Sequence, residues 1–168
     1  AVLSTHTGGF DGYTFVDLTS TMEDYFGHWH KLGIRFDCIY SGFLGSARQV
    51  NIISDFIDRF SMPEMLVVVD PVFADNGRMY STFTPDFVGN MRALVSKAHI
   101  ITPNITEAAF LLGKRCPEVL GVAEAKEWIL SLAQLGPRTV VVTSVPLCGE
   151  KSSVVAYSCD DGRFWKVR

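Results

Sequence analysis

Four short polar clusters in this chain each close a segment that reads as a strand. Ser41-Gly42 follows 36–40, Asp70 follows 65–69, Thr102 with Asn104 follows 98–101, and Thr143-Ser144 follows 139–142. Asp70 comes directly after apolar residues and precedes Pro71. A carboxylate at a buried strand end is costly unless it is paired or binds a cation. Two readings stand for it: a cap for a neighbouring loop or helix, or a cation-binding or catalytic group. Asn104 and Glu107 flank a helical first turn, where an amide and a carboxylate serve as caps. The same spacing also suits an amide and a carboxylate aimed at hydrated Mg²⁺, a cation that keeps several waters and takes few carboxylates.

Other signatures fail on spacing. Gly113-Lys114-Arg115 lacks the glycine spacing and the hydroxyl of a phosphate loop, and no dinucleotide fingerprint follows any strand. His28 and His30 lie two apart on a helix and do not share a face. His99, inside a short apolar strand, reads as a satisfied core histidine.

These clusters need a scaffold, and the periodicity supplies one. Residues 19–32 predict a helix with Met22, Tyr25, Phe26 and Trp29 inward and Gly33 as its left-handed cap. Residues 36–40 predict a strand. Ser46 with Gln49 has the capping-box spacing, ahead of a helix lined by Val50, Ile53, Ile57 and Phe60. The Val-rich run 65–69 reads as a strand buried on both faces. A loop with Asp75, Asn76 and Gly77 follows, and Thr84-Pro85 opens a helix buried through Val88, Met91 and Val95. A strand at 98–101 leads to a short helix closed by Gly113. Then come a helix at 122–135, stopped by Gly136-Pro137, a strand at 139–142, and a hairpin of 153–158 with 163–167.

Alternating strands and helices imply a mostly parallel sheet covered by helices, a three-layer αβα domain with a C-terminal β-hairpin. In such a sheet ligands bind beyond the carboxyl ends of the strands. All four polar clusters therefore fall on one edge. That identifies an edge and leaves the reaction open.

Composition excludes several classes. The 168 residues fit one domain, 1–168, with 48% hydrophobic and 20% charged residues. Mean hydropathy is +0.20, which argues against disorder. The longest apolar runs are a few residues, far short of a membrane span. Net charge is −3 and no basic stripe forms, so a nucleic-acid partner is not expected. Cys38, Cys116, Cys148 and Cys159 show no metal or redox spacing and read as reduced structural thiols of a cytoplasmic protein. The opening Ala1-Val2-Leu3-Ser4 has neither Met nor the features of a signal peptide. Both ends read as cut from something longer.

At this point the motifs resemble a family. Ser4-Thr5-His6-Thr7-Gly8 and Ser41-Gly42-Phe43-Leu44-Gly45-Ser46 are similar to segments of the pyridoxal (pyridoxine, pyridoxamine) kinases of the ribokinase superfamily. So are Val69-Asp70-Pro71-Val72, Asp75-Asn76-Gly77-Arg78-Met79-Tyr80, and Ile100-Ile101-Thr102-Pro103-Asn104-Ile105-Thr106-Glu107-Ala108, with Val140-Val141-Val142-Thr143-Ser144 last. The order and spacing match across essentially the whole chain, and the bacterial branch looks nearest.

The resemblance implies transfer of the ATP γ-phosphate, with Mg²⁺, to the 5′-hydroxymethyl of a B6 vitamer. It places Asp70, Thr102, Asn104, Glu107, Thr143 and Ser144 at the ATP site, with Asp70 and Glu107 at the metal. It places Thr7, Gly8, Phe43, Asp75 and Tyr80 at the substrate, with Asp75 and Tyr80 on a closing loop. It implies a cytoplasmic enzyme that is a homodimer when complete. Thr143 stands where some relatives carry Lys, and Phe43 where they often carry Tyr. The family's Gly-x-Gly-Asp motif, with the aspartate base, is expected after Arg168. The nearest rivals are a hydroxymethylpyrimidine kinase and a silent nucleotide- or vitamer-binding module.

Overall fold

Four apolar runs pair side by side in the order of the chain. The computed structural model describes residues 1–5, 12–150 and 152–167. Its elements are β1 (Val2–Ser4), β2 (Phe15–Asp17), α1 (Thr19–Lys31), β3 (Cys38–Ser41), α2 (Ala47–Phe60), β4 (Leu66–Val69), β5 (Ala74–Asp75), β6 (Arg78–Met79), α3 (Phe87–Val95), β7 (Ile100–Ile101), α4 (Ile105–Leu112), α5 (Val122–Ala133), β8 (Thr139–Val145), β9 (Ser153–Ser158) and β10 (Phe164–Val167). The central sheet has the order β10-β9-β8-β7-β4-β3, with β3, β4, β7 and β8 parallel and β9 and β10 antiparallel. Two small antiparallel pairs, β1 with β2 and β5 with β6, stand outside it.

The parallel strands step across the sheet in one direction. Right-handed crossovers then place every connecting helix on the same face. Burial agrees. Ser41, Val69, Ile101 and Val140 stand in register and are all buried on the helical face. Their neighbours Tyr40, Val68, Ile100 and Thr139, equally in register, point the other way and are half-buried or exposed. One apolar cluster on the helical face unites α2 through α5 with the strands, and Phe26 and Trp29 of α1 pack against it. Among the described residues the helices therefore form one layer, and the opposite face carries Tyr40 and Leu66 in the open. The run at β4 is accordingly buried on one face, not two.

Several boundaries shift. Pro85 lies two residues ahead of α3, whose N-cap is Asp86. Val88 is only half-buried, and Tyr25 turns outward from α1. The cysteines are not core thiols: Cys38, Cys148 and Cys159 are exposed and Cys116 is half-buried. His99 is satisfied as expected, its Nδ1 accepting from Val67 N at 2.9 Å. Gly113 ends α4 at φ 66°, a left-handed cap that glycine adopts without a Cβ penalty.

Candidate active site

The strand ends form a continuous polar edge because each backbone step is hydrogen-bonded to the next. Asp70 N donates to Ser41 O at 2.7 Å, Thr102 N to Val69 O at 3.1 Å, and Thr143 N to Pro103 O at 2.9 Å. Asn104 and Thr143 add an isolated parallel bridge. Thus Ser41, Asp70, Thr102, Asn104 and Thr143 lie along one edge, as the alternation of elements predicts. Among the described residues the Ser41 hydroxyl is buried there without a hydrogen-bond partner. Ser144 sits in a bulge of β8, where Val142 pairs with Val155 and Val145 with Ser153. Its φ of 56° is unusual for a side-chain-bearing residue and marks local strain beside the edge.

At α4 the sequence folds into a complete capping box. Asn104 Oδ1 accepts from Thr106 N at 2.8 Å and Glu107 N at 3.0 Å, while Glu107 Oε2 accepts from Asn104 N at 2.8 Å. The same three residues grip the β5–β6 hairpin. Glu107 Oε1 accepts from Phe73 N at 3.3 Å, Asn104 Nδ2 donates to Ala74 O at 2.8 Å, and Gly77 N donates to Thr106 Oγ1 at 3.0 Å. Asn76 and Gly77 both have positive φ, 50° and 74°, the two-residue turn that Asn-Gly favours. The helix cap and the hairpin with Asp75 are therefore one hydrogen-bonded unit.

Charge gathers around Tyr80. Burial lifts the Tyr80 phenol above its ordinary range, and Glu107, Asp75 and Asp70 push it further. Burial pushes the Glu107 carboxyl up to about 8, against the pull of N–H groups from Asn104, Phe73 and Ala74, and Asp70 adds to the rise. Asp70 accepts a 3.1 Å bond from Tyr40 Oη, whose phenol is raised by burial and then by the Asp70 charge.

The substrate-side expectations meet in an aromatic row. Phe43 lies 5.8 Å from Phe83, Tyr80 lies 6.5 Å from Phe83, and Phe83 stacks on Phe87 at 4.1 Å. Phe83 joins Phe43 to Tyr80, and sequence reasoning missed it. Its signal was an aromatic residue three positions after Tyr80. Tyr40 was missed too, since it read as one more apolar strand residue. Thr7 and Gly8 lie outside the described residues.

Magnesium, which the resemblance implies, needs hard oxygen ligands and tolerates few from protein. Among the described residues no group of three His, Cys, Asp or Glu side chains gathers as a ready cation cage. Asp70 fits a sparse site: its carboxylate is half-buried at the strand end, and Tyr40 is the side chain bonded to it. Glu107 is 2% exposed with both oxygens taken by backbone N–H groups, so it suits a supporting place behind Asp70. When bound, the cation would neutralise phosphate charge, and Asp70 would hold it.

A mostly parallel sheet covered by helices, with its polar strand ends on one edge, is the ribokinase-like fold. A family model described as phosphomethylpyrimidine kinase matches residues 30–168, and the chain belongs to that family. It is 34% identical over 141 residues to pyridoxal kinase PdxY of Granulibacter bethesdensis, covering 80% of this chain and 48% of that protein. A crystal structure from Bacteroides thetaiotaomicron, provisionally described as a phosphomethylpyrimidine kinase and crystallised with pyridoxal, superposes with TM-score 0.95 at 42% identity. It covers 99% of this chain, which spans 59% of that one. The pyridoxal kinase of Lactobacillus plantarum superposes with TM-score 0.84 at 28% identity, over 99% of this chain and 58% of that one. The chain spans about half the length of the curated relative and somewhat more of the two structures.

Proposed function

We propose that the protein carrying these residues phosphorylates the 5′-hydroxymethyl group of a B6 vitamer, with ATP as donor and Mg²⁺ as cofactor, in the cytoplasm. The observation that carries this reading is the Phe43–Phe83–Tyr80 aromatic row at the strand end of Asp70, which bonds Ser41 two residues before Phe43 and whose charge acts on Tyr80. A flat heteroaromatic ring suits such a row, through offset or tilted ring contacts. A carboxylate edge with strand-end amides suits a metal-bound triphosphate, because phosphoryl transfer is chiefly positioning and charge stabilisation.

In this reading Asp70, Thr102, Asn104, Thr143 and Ser144 hold the nucleotide side, with Glu107 fixing the hairpin against them. Phe43, Asp75 and Tyr80 hold the vitamer side, with Thr7 and Gly8 assigned there by resemblance alone. The pyridoxal-bound Bacteroides relative supports a pyridine substrate. The family description favours a second reading, in which the acceptor is hydroxymethylpyrimidine.

The test is direct. The intact protein is incubated with Mg²⁺–ATP and, in turn, pyridoxal, pyridoxine, pyridoxamine and hydroxymethylpyrimidine, and kcat/KM is compared. A higher value for at least one B6 vitamer is expected. A clear preference for the pyrimidine over all three promotes the second reading, and no turnover of any of the four refutes both.

A further inference from the structure

Gln49 is fully buried, and its side chain does something its spacing did not predict. Ser46 Oγ accepts from Gln49 N at 3.3 Å, which forms half of a capping box. The other half is missing among the described contacts. Gln49 Oε1 instead accepts from Gly45 N at 3.0 Å and from Ala1 N at 2.9 Å. Its Nε2 donates to Thr19 Oγ1 at 2.8 Å and to Asp17 Oδ1 and Ala1 O at 3.0 Å each. One side chain, 0% exposed, thus ties the turn after β3 to the foot of the β1–β2 hairpin and to the first residue of α1.

A buried amide is costly unless every polar atom is satisfied, and a satisfied one fixes its neighbours in a single arrangement. Here the neighbours matter. The turn at 42–45 carries Phe43, the end of the aromatic row. Gly45 brings the same two pieces together by size. A Cβ at Gly45 would meet Val2 Cγ1 at 3.0 Å and Phe15 Cζ at 3.5 Å, one on each strand of the hairpin. Val2 is stiff at χ1, so the added methyl would push the hairpin and the turn apart.

We propose that Gln49 is a positioning residue for the vitamer side of the site: it locks the turn bearing Phe43 against the β1–β2 hairpin, and Gly45 permits the close seam. This rests on the vitamer-kinase reading above. Gln49 is buried, and its side-chain partners are Ala1, Asp17, Thr19 and the turn at Gly45, not the strand-end carboxylates. Loosening the seam should therefore displace Phe43 and leave the nucleotide side in place.

The experiment measures KM for pyridoxal, KM for ATP and kcat in the intact protein, for wild type, Gln49→Leu and Gly45→Ala. Gly45→Ala leaves the Gln49 side chain itself unchanged and strains the seam, so it serves if Gln49→Leu does not fold. Because a displaced Phe43 withdraws a ring contact worth about 0.5–1.5 kcal/mol from the vitamer, KM for pyridoxal should rise by about three- to tenfold while KM for ATP stays within about twofold. Equal rises in both KM values mark general loosening and overturn the proposal, as does an unchanged pyridoxal KM in a folded variant. A wild type inert toward every B6 vitamer overturns the parent reading and this one with it, whereas an active wild type without the split overturns this one alone.

Discussion

Replacing Glu107 with Gln should change how stability depends on pH. Burial holds the Glu107 carboxyl at about 8 in the folded chain, against an unperturbed value of 4.5. The folded state then binds this proton more tightly than the unfolded state does. Its contribution to stability is complete below the unfolded value and is lost as pH climbs toward the folded one. One proton changes stability by at most about 1.4 kcal/mol per pH unit, so the loss between about pH 5 and pH 8 comes to about 3–4 kcal/mol. Gln has the same shape and does not titrate. It also presents an N–H pair where one oxygen now accepts, so Glu107→Gln should be the less stable protein at pH 5. The gap should close by pH 8. Urea unfolding of both proteins across this range reads the difference directly, provided the slopes against denaturant agree. Parallel stability curves would refute the argument, because they would mean that Glu107 is equally ready to ionise in both states.

Other outcomes follow from the same contacts. Asn104→Ala removes the α4 cap and a bond to the β5–β6 hairpin, and should lower stability by about 1–2 kcal/mol, seen as a drop in Tm. Gly136→Ala should destabilise by about 1–3 kcal/mol, because its Cβ would fall 2.6 Å from Ser96 O; chemical denaturation checks this, and an unchanged midpoint would contradict the close approach. Phe83→Ala opens the middle of the aromatic row and should raise KM for the vitamer by about tenfold with a smaller effect on ATP.

The parallel sheet and its polar edge were legible because they rest on repeated patterns. Val-rich runs, helical spacing and terminating glycines such as Gly113 all point the same way. What stayed hidden depends on meetings between distant residues. Phe83, in the turn after Tyr80, gains meaning only when the fold sets it against Phe43, forty residues upstream. Gln49 carries the spacing of a capping box, yet a hairpin more than thirty residues upstream claims its amide. The Asn76-Gly77 turn is a strong hairpin signal, but strands of two residues leave no periodicity to read. Leu66 reads as core because composition cannot tell which sheet face the crossovers cover. The Asn104–Glu107 motif was legible as two alternatives, and the structure fills the capping one.

The bulge in β8 carries a consequence for length variation. Between Val142 and Val145 this strand spends three residues where β9, from Val155 to Ser153, spends two. Val142 and Val145 are both buried in consequence, which strict alternation would forbid. Loss of either Thr143 or Ser144 would restore a regular ladder and keep Val145 inward, yet it would shorten the polar lip beside Asn104. Insertion of one residue makes the step four, so Val145 stays inward only by slipping past Ser153 or by enlarging the bulge. The two kinds of single-codon change should thus act differently: a deletion regularises the ladder and shortens the lip, whereas an insertion lengthens the lip and disturbs the β8–β9 register.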